Sequence, residues 1–190
     1  MEINGYRLIS EWQLGSVQSL ATFGSNELYV GFGKVMRVYD ISDKRSPSLI
    51  AERPDTAIAI GGGAQYGRFM DANDIAVVTA RKRQGISVMD KNFNVSYLNG
   101  FYGMSTYIYN NEAYVPTGDS IKVVDISDPR NPKVTNTIEV DADIVVVDDD
   151  KLSVASGYNL TIYDKDTLET LFTYQIGGRI YDLVGKDNLL

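Results

Sequence analysis

Short apolar runs alternate with polar turns along the whole chain, and no ten-residue stretch keeps the 3.6-residue period of a helix. Four segments share one pattern: "LYVGFGKVMRVYD", "IAVVTARKRQGISVMD", "AYVPTGDSIKVVD" and "LSVASGYNLTIYD". Each is an apolar strand, a Gly-containing turn, a second apolar strand and an Asp. The four anchors, Asp40, Asp90, Asp125 and Asp164, recur at a mean spacing of about 41, as in four-stranded propeller blades. Upstream of each pair lies another strand ending in a polar turn ("SLATFGSN", "GRFMDAN", "STYIYNN", "DIVVVDDD"). Downstream lies a fourth ("SLIAER", "NVSYLNG", "KVTNTIEV", "LETLFTYQI"). The pattern predicts repeated antiparallel sheets with strands a, b, c and d, joined by turns whose Asn, Asp and Gly tolerate unusual backbone angles.

Four-stranded units arrayed radially give an all-β chain, a β-propeller whose blades bury both faces against their neighbours. The expected blades cover residues 16–54, 55–101, 102–140 and 141–177 of a single propeller domain or propeller fragment. The end segments, 6–14 and 178–190, read as a lone strand d and as a strand a with the start of b. They are expected to share an incomplete fifth blade. A blade lacking strand c leaves unpaired edges, with Arg7–Leu14 and Arg179–Val184 as the exposed candidates. The expectation is therefore a piece of a longer repeat protein, with self-association through the incomplete blade as the second option.

"AYVPTGDSIKVVDISDPRNPKVTNTI" resembles the LVIVD-type repeat, a propeller-blade family. The units ending at Asp40 and Asp125 carry the resemblance best, through "RVYDISDKRSPSL" and "KVVDISDPRNPKV". Those ending at Asp90 and Asp164 keep the strands and lose the Ser-Asp-Pro turn. The resemblance implies a scaffold fold rather than an activity, and a cell-surface or exported protein; without it the reading is cytoplasmic.

Composition narrows the function. The 190 residues carry a net charge of −7 and a pI near 4.6, which argues against nucleic acid and anionic lipid as partners. With no cysteine there is no disulfide, thiolate metal site or cysteine nucleophile, and with no histidine the commonest general base is missing. "MEINGYRLIS" has neither the basic start nor the apolar core of a signal peptide, and no run of apolar residues is long enough to span a membrane.

In the antiparallel scheme the b–c and d–a turns share one end of the disc, and both breaks in the repeat fall there. The second unit's b–c turn, "ARKRQG", reads as about three residues longer than the others, and the remaining extra length lies in "PDTAIAIGGGAQYG". Gly61, Gly62 and Gly63 allow close backbone approach, Arg81, Lys82 and Arg83 offer contacts to an anion, and Tyr66 can stack on a ligand. These seven are the ligand- or partner-binding candidates, set against a plain flexible loop beside a solvated charge run. Asp141, Asp143, Asp148, Asp149 and Asp150 are weak calcium candidates, set against ordinary turn chemistry; no other cofactor is expected. The dispersed Asp anchors read as turn formers, not catalytic pairs.

The expected function is a non-catalytic repeat scaffold that presents a protein- or ligand-binding face from its b–c and d–a loops. One alternative is a metal- and carboxylate-dependent propeller hydrolase or lyase. It needs acidic or amide groups converging at the strand-a starts, where Gln18, Arg68, Ser105, Asp143 and Arg179 stand instead. The other alternative is a structural or self-assembling surface protein.

Overall fold

The computed structural model describes residues 2–3, 6–7, 19–32, 35–54 and 70–183. Four separate four-stranded antiparallel sheets follow one another along the chain, each in the order a-b-c-d. Blade 1 is β3 (Ser19–Phe23), β4 (Glu27–Phe32), β5 (Val35–Asp40) and β6 (Ser48–Pro54), after a short antiparallel pair, β1 (Glu2–Ile3) and β2 (Tyr6–Arg7). Blade 2 is β7 (Met70–Ala72), β8 (Ala76–Ala80), β9 (Ile86–Asp90) and β10 (Val95–Leu98). Blade 3 is β11 (Tyr107–Tyr109), β12 (Glu112–Pro116), β13 (Ile121–Asp125) and β14 (Lys133–Ile138). Blade 4 is β15 (Ile144–Val147), β16 (Lys151–Ser156), β17 (Asn159–Asp164) and β18 (Thr170–Gln175).

The a strands form the inner rim: β3 lies beside β7, β7 beside β11, and β11 beside β15. This radial order is that of a β-propeller. Because successive side chains on a strand point to opposite faces, each blade serves two seams. On β12, Tyr114 packs towards blade 4 with Val145, Val147, Leu152 and Val154. Its neighbours Ala113 and Val115 pack towards blade 2 with Val78, Ile86 and Val88. The seam between blades 1 and 2 is built the same way from Tyr29, Met36, Val38, Met70, Val77 and Met89. Each such fully buried aliphatic side chain contributes about 1.5–3 kcal/mol, so the seams rather than the turns hold the blades together.

The anchors act as the turn formers they resemble. Oδ1 of Asp40 accepts the Ser42 N–H at 2.8 Å and that of Asp125 the Ser127 N–H at 2.9 Å. Asp164 Oδ1 accepts from the Asp166 and Thr167 amides at 3.1 and 2.8 Å. The Ser127 side chain and then its amide at Asp125, and the Ser42 and Thr167 amides and then their side chains at Asp40 and Asp164, hold all three carboxyls below the usual range. Residue 41, 126 or 165 then donates its amide to the a–b turn of its own blade, through Ile41 to Asn26, Ile126 to Asn111 and Lys165 to Asp150. Three blades also carry a bulge in the c–d ladder, at Val38/Tyr39, Val123/Val124 and Ile162/Tyr163.

The termini do not meet in a sheet among the described residues. Tyr6–Arg7 pairs with Glu2–Ile3, and residues 178–183 carry no strand. The rest of the expected fifth blade, residues 8–14 and 184–190, lies outside the described residues. Ile180 nevertheless occupies the seam beyond blade 4, packed on Ile144 and Ala155. Its amide donates to the Gly157 carbonyl at 3.1 Å.

Candidate functional site

The end of the disc that carries the b–c turns is knitted from blade to blade. The b–c loop of blade 2 bridges to the d–a segment of blade 3 through Lys82 and Gly103, and that of blade 3 to the d–a segment of blade 4 through Gly118 and Ala142. The Gly157–Ile180 hydrogen bond repeats the arrangement one blade on. Two close backbone passes result. Gly85 has φ +70°, and a Cβ there would sit 2.0 Å from the Leu98 carbonyl oxygen; a Cβ on Gly103 would sit 2.7 Å from the Gly85 oxygen. Only glycine fits this crossing.

Ladder register corrects the expected length of the blade 2 loop. The anchors pair with the first residue of strand b: Asp40 with Glu27, Asp90 with Ala76, Asp125 with Glu112 and Asp164 with Lys151. By that measure the blade 2 b–c turn is one residue longer than its counterparts, not about three. Counted from the last polar residue of each a–b turn, Asn73 falls opposite Asp150, whereas its structural equivalent is Asp148. Asn73 Oδ1 accepts the Ile75 and Ala76 amides, and Asp148 Oδ1 accepts those of Asp150 and Lys151 in the same way.

Of the binding candidates, Gly61, Gly62, Gly63 and Tyr66 lie outside the described residues, as do Gln18 and Arg68. Arg81, Lys82 and Arg83 differ sharply. Arg83 is exposed and Lys82 half-buried, with φ +52° in the bridge to Gly103. Arg81 is only 9% exposed. Its guanidinium lies over the Tyr97 ring, 4.6 Å from the centroid, and Nη2 donates to Gln84 Oε1 at 2.9 Å. Among the described residues no carboxylate pairs with it.

The acidic candidates are dispersed into local roles. Asp148 caps its own turn, Asp149 accepts from the Tyr109 hydroxyl, and Asp150 follows in the same turn. Asp143 Oδ2 accepts the Gly157 amide at 3.0 Å and stands 3.6 Å from Arg179 Nη2, while the Ser105 hydroxyl donates to the Asp143 carbonyl at 3.0 Å. Asp141 is exposed. Among the described residues no three acidic groups stand close enough to hold a metal ion.

Two features escaped the sequence reading. Asp90 is nearly buried and gathers the Asn92 and Asn94 amides, the Asn94 side chain and, from the next blade, Arg130 Nε at 3.1 Å. Burial pushes its pKa up, but these hydrogen bonds outweigh burial and bring it down to about 2. The second feature is a cavity of about 450 Å³ along the inner edges of blades 1 and 2, lined by Leu20, Thr22, Leu28, Met70 and Asp71 among others.

The LVIVD repeat family model matches residues 14–53 and 102–140, the first and third blades. Two of the four blades thus match the LVIVD repeat. No curated protein matches it by sequence. Among solved structures, it is similar to apo AztD from Citrobacter koseri (12% identity, TM-score 0.60, covering 87% of this chain and 48% of that one). It is also similar to the computationally designed Ika8 protein (15%, 0.63, 90% and 53%) and to a chain of a nidogen/laminin complex (11%, 0.64, 92% and 70%). At these identities the likeness is one of fold. This chain spans about half the length of the AztD and Ika8 chains.

Proposed function

We propose that this propeller is a non-catalytic scaffold that binds a protein or another surface ligand on the end built from its b–c and d–a loops. The observation that carries the reading is the knitted b–c end: the Lys82–Gly103 and Gly118–Ala142 bridges fix the loops to neighbouring blades, giving a rigid platform for recognition. On that platform the b–c turn of blade 2 adds the cations Lys82 and Arg83 beside the buried Arg81. A neighbour in fold belongs to a protein–protein complex, which agrees with a binding role. A photoreactive residue placed at Arg83 or Tyr158, on the b–c end, tests the reading against one at Lys44 or Lys91, on the opposite end. Adducts from a source-cell extract that form only from the b–c end, and that excess unlabelled protein competes away, support it. Equal labelling from both ends, or none, overturns it.

A second reading, self-association beyond blade 4, has its own observation. β18 is exposed throughout, with Leu171, Phe172 and Tyr174 each more than half exposed and the last two rings stacked 6.3 Å apart. Sedimentation should show multimers that the Phe172→Ser, Tyr174→Ser variant dissociates. A monomeric parent protein rules this reading out.

A further inference from the structure

Among the described residues four buried side-chain polar atoms have no hydrogen-bond partner: Ser19 Oγ, Thr79 Oγ1, Arg81 Nε and Thr106 Oγ1. The first three belong to one place. In blade 1, Ser19 stands across from Gly31, which stands across from Met36, and Met36 packs into the seam with blade 2. Directly paired residues share a sheet face, so Ser19 is on the seam side. In blade 2, Met70, Thr79, Ser87 and Tyr97 form one cross-strand row, and Met70 packs into the same seam from the other side. Arg81 joins that row by stacking on Tyr97. All of these residues lie at the b–c end.

Such a grouping is costly as it stands. Buried polar groups are normally paired, and a buried cation normally has a counter-charge. Among the described residues Arg81 has neither an acid nor a full set of acceptors. Gly31 removes a side chain at the middle of the facing row in blade 1. The seam therefore combines a fixed guanidinium edge, two unengaged hydroxyls and a position without a side chain.

We propose that the seam between blades 1 and 2 at the b–c end binds a small-molecule carboxylate, with Arg81 as its cation and Thr79 and Ser19 as hydroxyl donors. The proposal rests on the reading that the b–c end is the binding face, and it names the ligand class. A carboxylate suits the site better than phosphate. It is planar, so it can lie in the plane of the guanidinium whose Cζ sits over the Tyr97 ring, and its single charge matches the single buried cation.

Acetate is the minimal probe, with phosphate and chloride as the other arms. In protein labelled with ¹⁵N-arginine, the Arg81 Nε–H resonance, assigned by its loss in Arg81→Gln, should shift saturably with acetate at millimolar levels. It should respond less to phosphate and not saturably to chloride. Thr79→Val, which keeps shape and removes the hydroxyl, should weaken acetate binding several-fold, and Ser19→Ala should do so less. An Arg81 resonance unmoved by acetate, or one that chloride moves equally, overturns the proposal, as does unchanged acetate affinity in Thr79→Val. If Arg81→Gln does not fold, Arg81→Lys serves for the assignment and the two hydroxyl variants still decide. Loss of the acetate response while Arg83 photoadducts persist rejects the carboxylate site alone; the reverse result rejects only the partner-binding reading.

Discussion

Blades 2 and 3 sit side by side with the same strand order, yet they spend their irregularities at opposite ends. Blade 3 has a long c–d turn, the "ISDPRNP" segment between Asp125 and Lys133, a bulge in its c–d ladder and a four-residue b–c turn. Blade 2 has a short c–d turn, between Asp90 and Val95, an unbroken c–d register and a five-residue b–c turn that crosses the backbone of the next d–a segment. The comparison teaches that the repeat specifies its anchors and seams, while the turns are free to vary. In blade 2 that freedom buries a cation at the b–c end and an anion at the c–d end.

The largest expected effect comes from the two b–c glycines. Gly85→Ala forces a Cβ to 2.0 Å from the Leu98 carbonyl oxygen at φ +70°. It should cost about 3–5 kcal/mol, because backbone on both sides must move. Gly118→Ala in blade 3 also keeps a positive φ, +105°, but meets nothing nearer than Met104 Sδ at 3.7 Å, so its cost should be about 1–2 kcal/mol. Urea unfolding of the two variants measures the difference directly. Equal costs would mean that the crossing is not tight.

The anchors give the next contrast. Asp90→Ala leaves the Asn92 and Asn94 amides and the Asn94 and Arg130 side chains without their shared, buried acceptor. It should cost about 2–3 kcal/mol. Asp125→Ala frees the amide of one exposed turn and should cost about 1 kcal/mol.

Acid sharpens the same pair. An ordinary Asp carboxyl titrates near 3.8, and folding lowers that of Asp90 to about 2. As pH falls the unfolded chain takes up this proton first, so the contribution is full above about pH 5 and drains away towards pH 2, about 2 kcal/mol in all. Urea midpoints measured across this window should fall less steeply in Asp90→Asn than in the parent protein. Asp40, Asp125 and Asp164 are displaced in the same direction and add to the parent slope.

The strands, the anchor turns and the blade order were legible in the sequence because they are local: alternation sets the sheet faces, and Asp two residues before a turn amide forms its own hydrogen bond. The seam chemistry was less so. Arg81 was named for its charge, but only the face shared with Thr79 and Tyr97 shows it buried and stacked. Ser19 and Thr79 carry no motif at all; their significance depends on cross-strand register between β3, β4, β7 and β8. The loop length was misjudged for a related reason. Asn73 and Asp148 are equivalent turn formers of different chemical type, and counting from the last polar residue of each turn put them out of step.

The smallest expected effect separates a structural hydroxyl from a functional one. Thr79 is fully buried with its hydroxyl unpartnered, and Thr106 in blade 3 is in the same condition. Replacing either by valine keeps the branched shape and removes a desolvated polar group, so each variant should gain about 1 kcal/mol without ligand. The two should then diverge. With acetate present the parent protein and Thr106→Val should both gain thermal stability, since a ligand that binds only the folded state raises the melting temperature. Thr79→Val should gain markedly less. A gain in stability at both sites with the acetate response lost only at Thr79 means that the repeat keeps an unfavourable hydroxyl in blade 2 for binding; parallel behaviour of the two variants means that both are packing defects of equal standing.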